Sequence, residues 1–193
     1  ADDGRSVAIL DRNGQFKCRM VGKSSGNVLL RQAQYEFVRD EGKAREIARN
    51  IVAGKVKNSR EVLMRAARET DVQMEVESLR RAAETIAGAL SRLKDAPDTD
   101  SIRGYEGESA NTYFQVFDLM VKEEAREAFR MNGRSKRPPL DRVNGLLSFL
   151  YTLLLHDCVS AVEGVGLDSQ MGYLHALRPG RPSLGLDLME EFR

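Results

Sequence analysis

The sequence contains no tryptophan, and aromatic residues make up only 6% of its 193 residues. This scarcity argues against a protein that binds single-stranded nucleic acid mainly by stacking bases on aromatic side chains. The charges nearly balance, with 30 Lys and Arg and 29 Asp and Glu. Any surface for nucleic acid must therefore come from local clusters of basic residues. The length allows one domain with a sizeable core, or one domain and a fragment of another.

Cysteines and long apolar runs are also scarce, and both bear on location. Cys18 and Cys158 lie in different apolar contexts without the spacing of metal ligands, so we expect free thiols in a reducing compartment. No signal peptide is visible. The longest apolar run, 146–155, is interrupted by Ser148 and Thr152. It is shorter than the roughly 20 residues that a helix needs to cross a bilayer, so we predict a core helix and no membrane contact.

The first residues predict a β-hairpin. A short apolar run at 6–10 is followed by a turn that contains Asn13 and Gly14, a pair that favours positive φ. Residues 15–22 then alternate polar and apolar side chains. An isolated hairpin is marginally stable in water, so this one looks like the end of a larger sheet whose beginning is absent.

From residue 23 onward, helical patterns dominate, and the predicted fold class is mainly α. Apolar residues recur at helical spacing, most clearly in 43–55 and 74–94. The predicted helices cover 28–35, 43–55, 58–69, 74–94, 101–120, 140–165 and a final segment that begins near 183.

Two carboxylates near the end of the sequence are candidate metal ligands. Asp187 and Glu190 are three residues apart, which places them on one face of the final helix. One interpretation is a solvated acidic face, with Asp187 favourably placed near the helix start. The other is a buried pair, because apolar residues flank both positions. Buried carboxylates need a partner, and a metal ion is one.

His175 and Glu106 supply further donors of the same kind. His175 lies in a loop rich in Pro and Gly that leads into the carboxylate helix, where it is either a satisfied polar group or a ligand. Glu106 stands between Gly104 and Gly107, which suggests a close backbone approach, the alternative being a loose helix end. Imidazole and carboxylates together favour an oxygen-rich site for a divalent metal, which indicates phosphodiester chemistry.

Basic residues near these positions could hold phosphates. Arg134, Lys136 and Arg137 form a cluster that is either a phosphate-binding surface or a solvated loop. Arg178 and Arg181 follow His175 directly, where their charge could hold a scissile phosphate.

Four ordered motifs together resemble the CRISPR-associated spacer-acquisition integrase family, in the form found in subtype I-C. They are Arg-Gly-Tyr-Glu-Gly at 103–107, the stretch 139–151, Gly-Tyr-Leu-His at 172–175 and Leu-Asp-Leu-Met-Glu-Glu-Phe-Arg at 186–193. The resemblance covers essentially the whole chain. It implies that 1–22 is the remnant of an N-terminal β domain and that 23–193 is an α-helical catalytic domain, with the sequence truncated at both ends.

The resemblance also implies a site for Mg²⁺ or Mn²⁺. The catalytic, metal-binding residues carried over from the family are Glu106, His175 and Glu190. Many relatives have aspartate at the last position, and Asp187 matches a neighbouring acidic residue that supports the site or ligates directly.

The activity implied is that of a DNA endonuclease and integrase of CRISPR adaptation in the prokaryotic cytoplasm. A 3′-hydroxyl of a short duplex attacks a phosphodiester in the CRISPR array. The implied partners are duplex and branched DNA, a second copy of the intact protein in a homodimer, and a small ferredoxin-like CRISPR adaptation protein. Reasoning from the residues alone leaves open a helical DNA-binding or interaction module without catalysis, or a catalytic fold that is inactive at this length.

Overall fold

A computed structural model describes residues 7–12, 16–20, 27–135 and 138–192, and it is mainly helical. This confirms the predicted fold class. The elements in these residues are β1 (Val7–Leu10), β2 (Phe16–Met20), α1 (Val28–Arg39), α2 (Glu41–Glu69), α3 (Gln73–Lys94), α4 (Thr99–Gln115), α5 (Glu123–Arg126), α6 (Arg142–Gly164) and α7 (Ser183–Met189). Short 3₁₀ helices follow α4 at Phe117–Met120 and α7 at Glu190–Phe192.

β1 and β2 form the expected antiparallel hairpin. Val7 pairs with Met20 and Ile9 with Cys18, and the register shifts after Ile9. The predicted turn at 13–14 lies outside the described residues.

Side-chain caps explain where two of the helices begin. The Asn27 side chain accepts hydrogen bonds from the backbone N–H groups of Leu29 and Leu30 at the start of α1. Asp98 accepts one from Ser101 at the start of α4. Each cap satisfies amide donors that the first helical turn leaves without a partner. By contrast, α2 is one continuous helix where the sequence predicted two segments, because neither Gly nor Pro interrupts 55–58.

The chain divides into two compact units. The first contains the described residues up to Ala48 together with Phe149–Glu190, and the second contains Arg49–Ser148 with Glu191 and Phe192. The boundary predicted at residue 22 lies outside the described residues and stays a prediction.

The core of the second unit contains buried side chains from α2, α3 and α4, and α3 packs against α4. Its largest apolar side chains are at most 1% exposed; they are Val52, Val56, Leu63, Leu79, Ile86, Leu93 and Ile102. The α3 members of this set belong to the apolar stripe that the sequence predicted in 74–94. Burying such side chains contributes about 1.5–3 kcal/mol each.

α6 differs from the predicted core helix. It has 23 residues, and its most apolar 18-residue window has a mean hydropathy of 1.5, yet only 11% of that window is buried. Leu146, Phe149 and Leu150 remain about half exposed. By length and composition alone α6 could cross a membrane, but those two properties are shared with soluble helices and do not assign it to one.

Candidate metal site

The carboxylate of Asp187 is the most heavily hydrogen-bonded group in the first unit's candidate site. It is completely buried in α7. Its Oδ2 atom accepts from the backbone N–H groups of Tyr173 at 2.5 Å and Leu174 at 3.0 Å, and its Oδ1 atom accepts from that of His175 at 2.9 Å. These bonds to an ionised acceptor offset the cost of burying its charge.

The fourth hydrogen bond to Asp187 comes from the His175 ring. Nδ1 lies 2.7 Å from Oδ1 of Asp187. A carboxylate only accepts, so Nδ1 carries the proton, and a neutral ring then presents the lone pair of Nε2. That atom lies 3.7 Å from Oε1 of Glu190, which is too far for a hydrogen bond. Glu190 itself is 2% exposed.

Gly172 makes this arrangement sterically possible. A Cβ atom at position 172 would lie 2.7 Å from the backbone carbonyl carbon of Ser183 and 2.8 Å from Oδ2 of Asp187. Real Cβ atoms do not approach other atoms so closely. The glycine of the 172–175 motif is therefore required for the following amides to reach the carboxylate.

Gln34, which the sequence analysis missed, holds the loop that leads to this motif. Its side-chain Nε2 donates to the carbonyl oxygens of Asp168 at 2.8 Å and Met171 at 2.9 Å, and its Oε1 accepts from the Asp168 amide at 2.9 Å. The neighbouring Tyr35 hydroxyl donates to the Asp168 carboxylate at 2.9 Å, and this bond raises the pKa of Tyr35. α1 thereby fixes the loop from outside the motif.

Tyr173 is another residue near this site whose pKa is shifted. Burial raises the pKa of its phenol, and the nearby charge of Asp187 raises it further. The hydroxyl therefore stays protonated at neutral pH.

Glu106 belongs to the second unit, where it pairs with a lysine that the sequence did not single out. The ammonium of Lys55, on α2, contacts Oε1 of Glu106, on α4. The Lys55 side chain is 8% exposed and that of Glu106 is 25% exposed. Glu108 points elsewhere and pairs with Arg92 at 2.9 Å, as expected for helical neighbours two residues apart.

The close backbone approach suggested for Gly104 and Gly107 is wrong. A Cβ atom at either position would meet nothing within 4 Å among the described residues. Neither glycine is therefore required by local crowding.

The structure brings three of the predicted site residues together. His175, Asp187 and Glu190 lie in the first unit, whereas Glu106 lies in the second. Across the part of the chain that the structure describes, no group of three or more His, Cys, Asp and Glu side chains is arranged to hold a metal ion. The full ligand set of Glu106, His175 and Glu190 therefore stays a prediction.

These residues carry the donor atoms that a divalent metal ion binds, but they differ in how far hydrogen bonds already occupy those atoms. A carboxylate has about four acceptor positions, and the four hydrogen bonds to Asp187 fill them. Nε2 of His175 and the carboxylate of Glu190 place a nitrogen and an oxygen atom 3.7 Å apart on neighbouring side chains.

The predicted phosphate-binding residues differ in their surroundings. Arg134 is engaged internally, because its Nη1 donates to Oδ1 of Asn144 at 2.6 Å and to the carbonyl oxygen of Ser135 at 2.7 Å. Arg178 is exposed and Arg181 is partly exposed, on a turn closed by a hydrogen bond between their backbones. Lys136 and Arg137 lie outside the described residues.

Asn144, within the 139–151 motif, is a second buried polar residue whose role the sequence did not reveal. It is 0% exposed, and its Nδ2 donates to the Gly133 carbonyl at 2.8 Å and to Asp141 Oδ2 at 2.6 Å. Burial raises the pKa of Asp141, but hydrogen bonds from Asn144 and from the Asn132 amide outweigh it and leave the pKa below its usual value. The motif thus holds residues 132–135 against the start of α6.

Comparison with known families decides what this fold belongs to. A family model described as "CRISPR associated protein Cas1" matches residues 1–193. The chain belongs to the Cas1 family. It is 53% identical over 193 residues to the CRISPR-associated endonuclease Cas1 1 of Moorella thermoacetica, covering 100% of the chain and 56% of that protein.

Solved Cas1-like structures share the fold. A casposase bound to integration product is 29% identical with a TM-score of 0.78, and the match covers 99% of this chain and 51% of the casposase. A Cas1 protein from Thermotoga maritima is 26% identical with a TM-score of 0.78, covering 97% and 56%. The chain therefore spans about half the length of the relatives it matches. These matches confirm the family that the four motifs indicated.

Proposed function

We propose that this chain forms part of a metal-dependent DNA endonuclease and integrase of CRISPR adaptation. The observation that carries the proposal is the His175 ring, which Asp187 holds with Nε2 directed towards Glu190. Family membership supports it, since the Moorella relative is named an endonuclease and the casposase was solved with integration product.

His175, Glu190 and Glu106 are the proposed ligands of Mg²⁺ or Mn²⁺. Bound there, such an ion supplies Lewis acidity towards a phosphodiester and stabilises charge on its oxygens. Asp187 is assigned a supporting role, because ligation would require it to give up one of its four hydrogen bonds. It fixes the proton of His175 on Nδ1, so that the lone pair of Nε2 can bind a metal ion.

Arg178 and Arg181 are proposed to position DNA. Both lie on the turn between His175 and α7, and neither side chain is buried. Arginines placed this way contact phosphates without reading sequence. Arg134 is a weaker candidate because its guanidinium already serves Asn144 and Ser135.

The proposed substrates and partners follow the family. They are duplex and branched DNA, a second copy of the intact protein, and the small ferredoxin-like adaptation protein. In the proposed reaction a 3′-hydroxyl attacks a phosphodiester, so that one new P–O bond forms, the P–O bond to the 3′-oxygen of the attacked strand breaks, and that strand leaves with a free 3′-hydroxyl. Water replaces the 3′-hydroxyl as the nucleophile in the nuclease reaction.

Cleavage of a branched DNA in Mn²⁺, with and without EDTA, tests the proposal. Glu190→Gln and His175→Ala should each reduce cutting at least about tenfold. Glu191→Gln is the matched control, because Glu191 is adjacent and exposed, and it should cut like the unmodified protein. Full cutting by both site variants, or in EDTA, would refute the assignment.

If no version of this chain cuts, the same comparison moves to a protein with the full length of the relatives. Cutting there would restrict the activity to the longer chain. DNA binding without any cutting at either length would favour the non-catalytic helical module.

A further inference from the structure

Lys55 is a buried cation bonded to the carboxylate that the proposed function assigns to a metal. The residue is 7% exposed, and its ammonium contacts Oε1 of Glu106. Most lysines keep the ammonium in water, so this burial needs an explanation.

The two charges depend on each other. Lys55 projects from α2, next to core residues Val52 and Val56 of the same helix, and its ammonium contacts the carboxylate of Glu106. An ammonium withdrawn from water is costly unless it is paired. Glu106 in turn has no other hydrogen bond within the described residues, so Lys55 is what orients its side chain when no metal is bound.

A lysine ammonium and a divalent metal ion seek the same ligand. Both are hard cations that bind carboxylate oxygen, and two cations a few ångströms apart on one carboxylate repel each other strongly in a partly buried site. The positive charge of Lys55 therefore opposes binding of a metal ion at Glu106, while its hydrogen bond keeps Glu106 ordered in the metal-free protein.

We propose that Lys55 is a positioning residue that acts as a resident cation: it holds and neutralises Glu106 in the metal-free protein, and a divalent metal ion competes with it for that carboxylate. This inference rests on the proposed function, in which Glu106 is a ligand. The proposal predicts two opposite effects of removing the Lys55 charge. Loss of the ammonium makes the metal-free protein less stable and makes metal binding tighter.

The test measures Mn²⁺ affinity by titration calorimetry and thermal unfolding with and without Mn²⁺. Lys55→Met keeps an unbranched side chain that is one heavy atom shorter and removes its charge. Its Mn²⁺ affinity should rise about tenfold, its metal-free Tm should fall, and its Tm should rise more on adding Mn²⁺ than that of the unmodified protein. Lys55→Arg keeps the charge and should bind Mn²⁺ within about twofold of the unmodified protein.

Lys57→Met is the matched control, because Lys57 lies two residues away on α2 and is exposed. It should change neither affinity nor Tm. If Lys55→Met does not fold, Lys55→Gln removes the charge while keeping a hydrogen-bond donor, and its Mn²⁺ affinity must still rise.

A lysine with a merely structural role would give the lower Tm without tighter binding, and that result would overturn the proposal. Glu106→Gln separates this failure from failure of the proposed function. If Glu106→Gln leaves Mn²⁺ affinity unchanged, Glu106 is not a ligand. If it weakens binding but the Lys55 variants do not strengthen it, only the role of Lys55 is wrong.

Discussion

Nδ1 of His175 lies 2.7 Å from Oδ1 of Asp187, and the backbone amide of the same histidine lies 2.9 Å from the same oxygen atom. One carboxylate oxygen thus fixes both the position of the main chain and the orientation of the ring. The proton on Nδ1 follows from this contact, and so does the availability of Nε2.

Asp187→Asn should therefore damage the fold as well as the site. The amide has nearly the shape of the carboxylate, but its NH₂ group must face N–H donors that need an acceptor. We expect the free energy of unfolding to fall by about 3 kcal/mol, measured by urea denaturation. Asp157→Asn, at an exposed position on α6, should change it by less than about 0.5 kcal/mol. An Asp187 variant as stable as this control would contradict the buried acceptor role.

Gly172→Ala and Gly104→Ala should have opposite effects on stability. The Cβ atom at 172 would collide with backbone at Ser183 and with Asp187, so we expect a loss of about 1–3 kcal/mol. The Cβ atom at 104 meets open space on α4, where alanine favours the helix by about 0.5–1 kcal/mol. Thermal and urea unfolding measure both changes. A neutral Gly172→Ala would show that the loop can move away from α7.

The ion pair between Glu75 and Arg126 should contribute to acid sensitivity. Hydrogen bonds from Arg126 and then Thr70 lower the pKa of Glu75 below its ordinary value of 4.5. Because the folded-state pKa is the lower one, this stabilisation is fully present above pH 4.5 and is lost as the pH falls through the folded-state value. Glu75→Gln should therefore flatten the decline of unfolding free energy below pH 4.5.

The control for that pH series is Glu77→Gln. Glu77 is exposed on the same helix and accepts a hydrogen bond from Gln73. It should leave the acid profile unchanged. Equal profiles for Glu75→Gln and the unmodified protein would show that the pair does not contribute.

Substitution of Arg178 should affect DNA binding, whereas substitution of Arg134 should affect stability. Arg178→Ala removes an exposed charge, so we expect weaker DNA binding at unchanged Tm, with the slope of log affinity against log salt reduced by about 1. Arg134→Ala removes a partner of buried Asn144 and should lower Tm. Fluorescence anisotropy over a salt series and thermal unfolding check both. An unchanged salt slope for Arg178→Ala would exclude it from the phosphate contacts.

What the sequence could predict depended on how far apart the interacting residues lie. The stripe of α3 was visible because its members share one helix and a 3.6-residue period. Asp187 and Glu190 stood out as a pair within one turn. Gln34 bonds to residues 134 and 137 positions away, and nothing in the local pattern of α1 marks it.

Lys55 was hidden for a related reason. A lysine on a charged helix resembles its exposed neighbours until its burial and its partner 51 residues away are known. For α6 the sequence predicted too much burial. Its composition is that of a core helix, but its exposure depends on what packs against it, and composition does not encode that. The roles of the four motifs came from family resemblance and not from spacing.

The convergence of three successive amides on one carboxylate has a consequence for motion. Tyr173, Leu174 and His175 cannot loosen one at a time, because each amide proton ends on the same acceptor in α7. In hydrogen–deuterium exchange these three amides should therefore behave as one cooperative unit, opening together when α7 detaches. The imidazole of His175 would then be either held by Asp187 in the orientation described above or not held at all, with no partly held state.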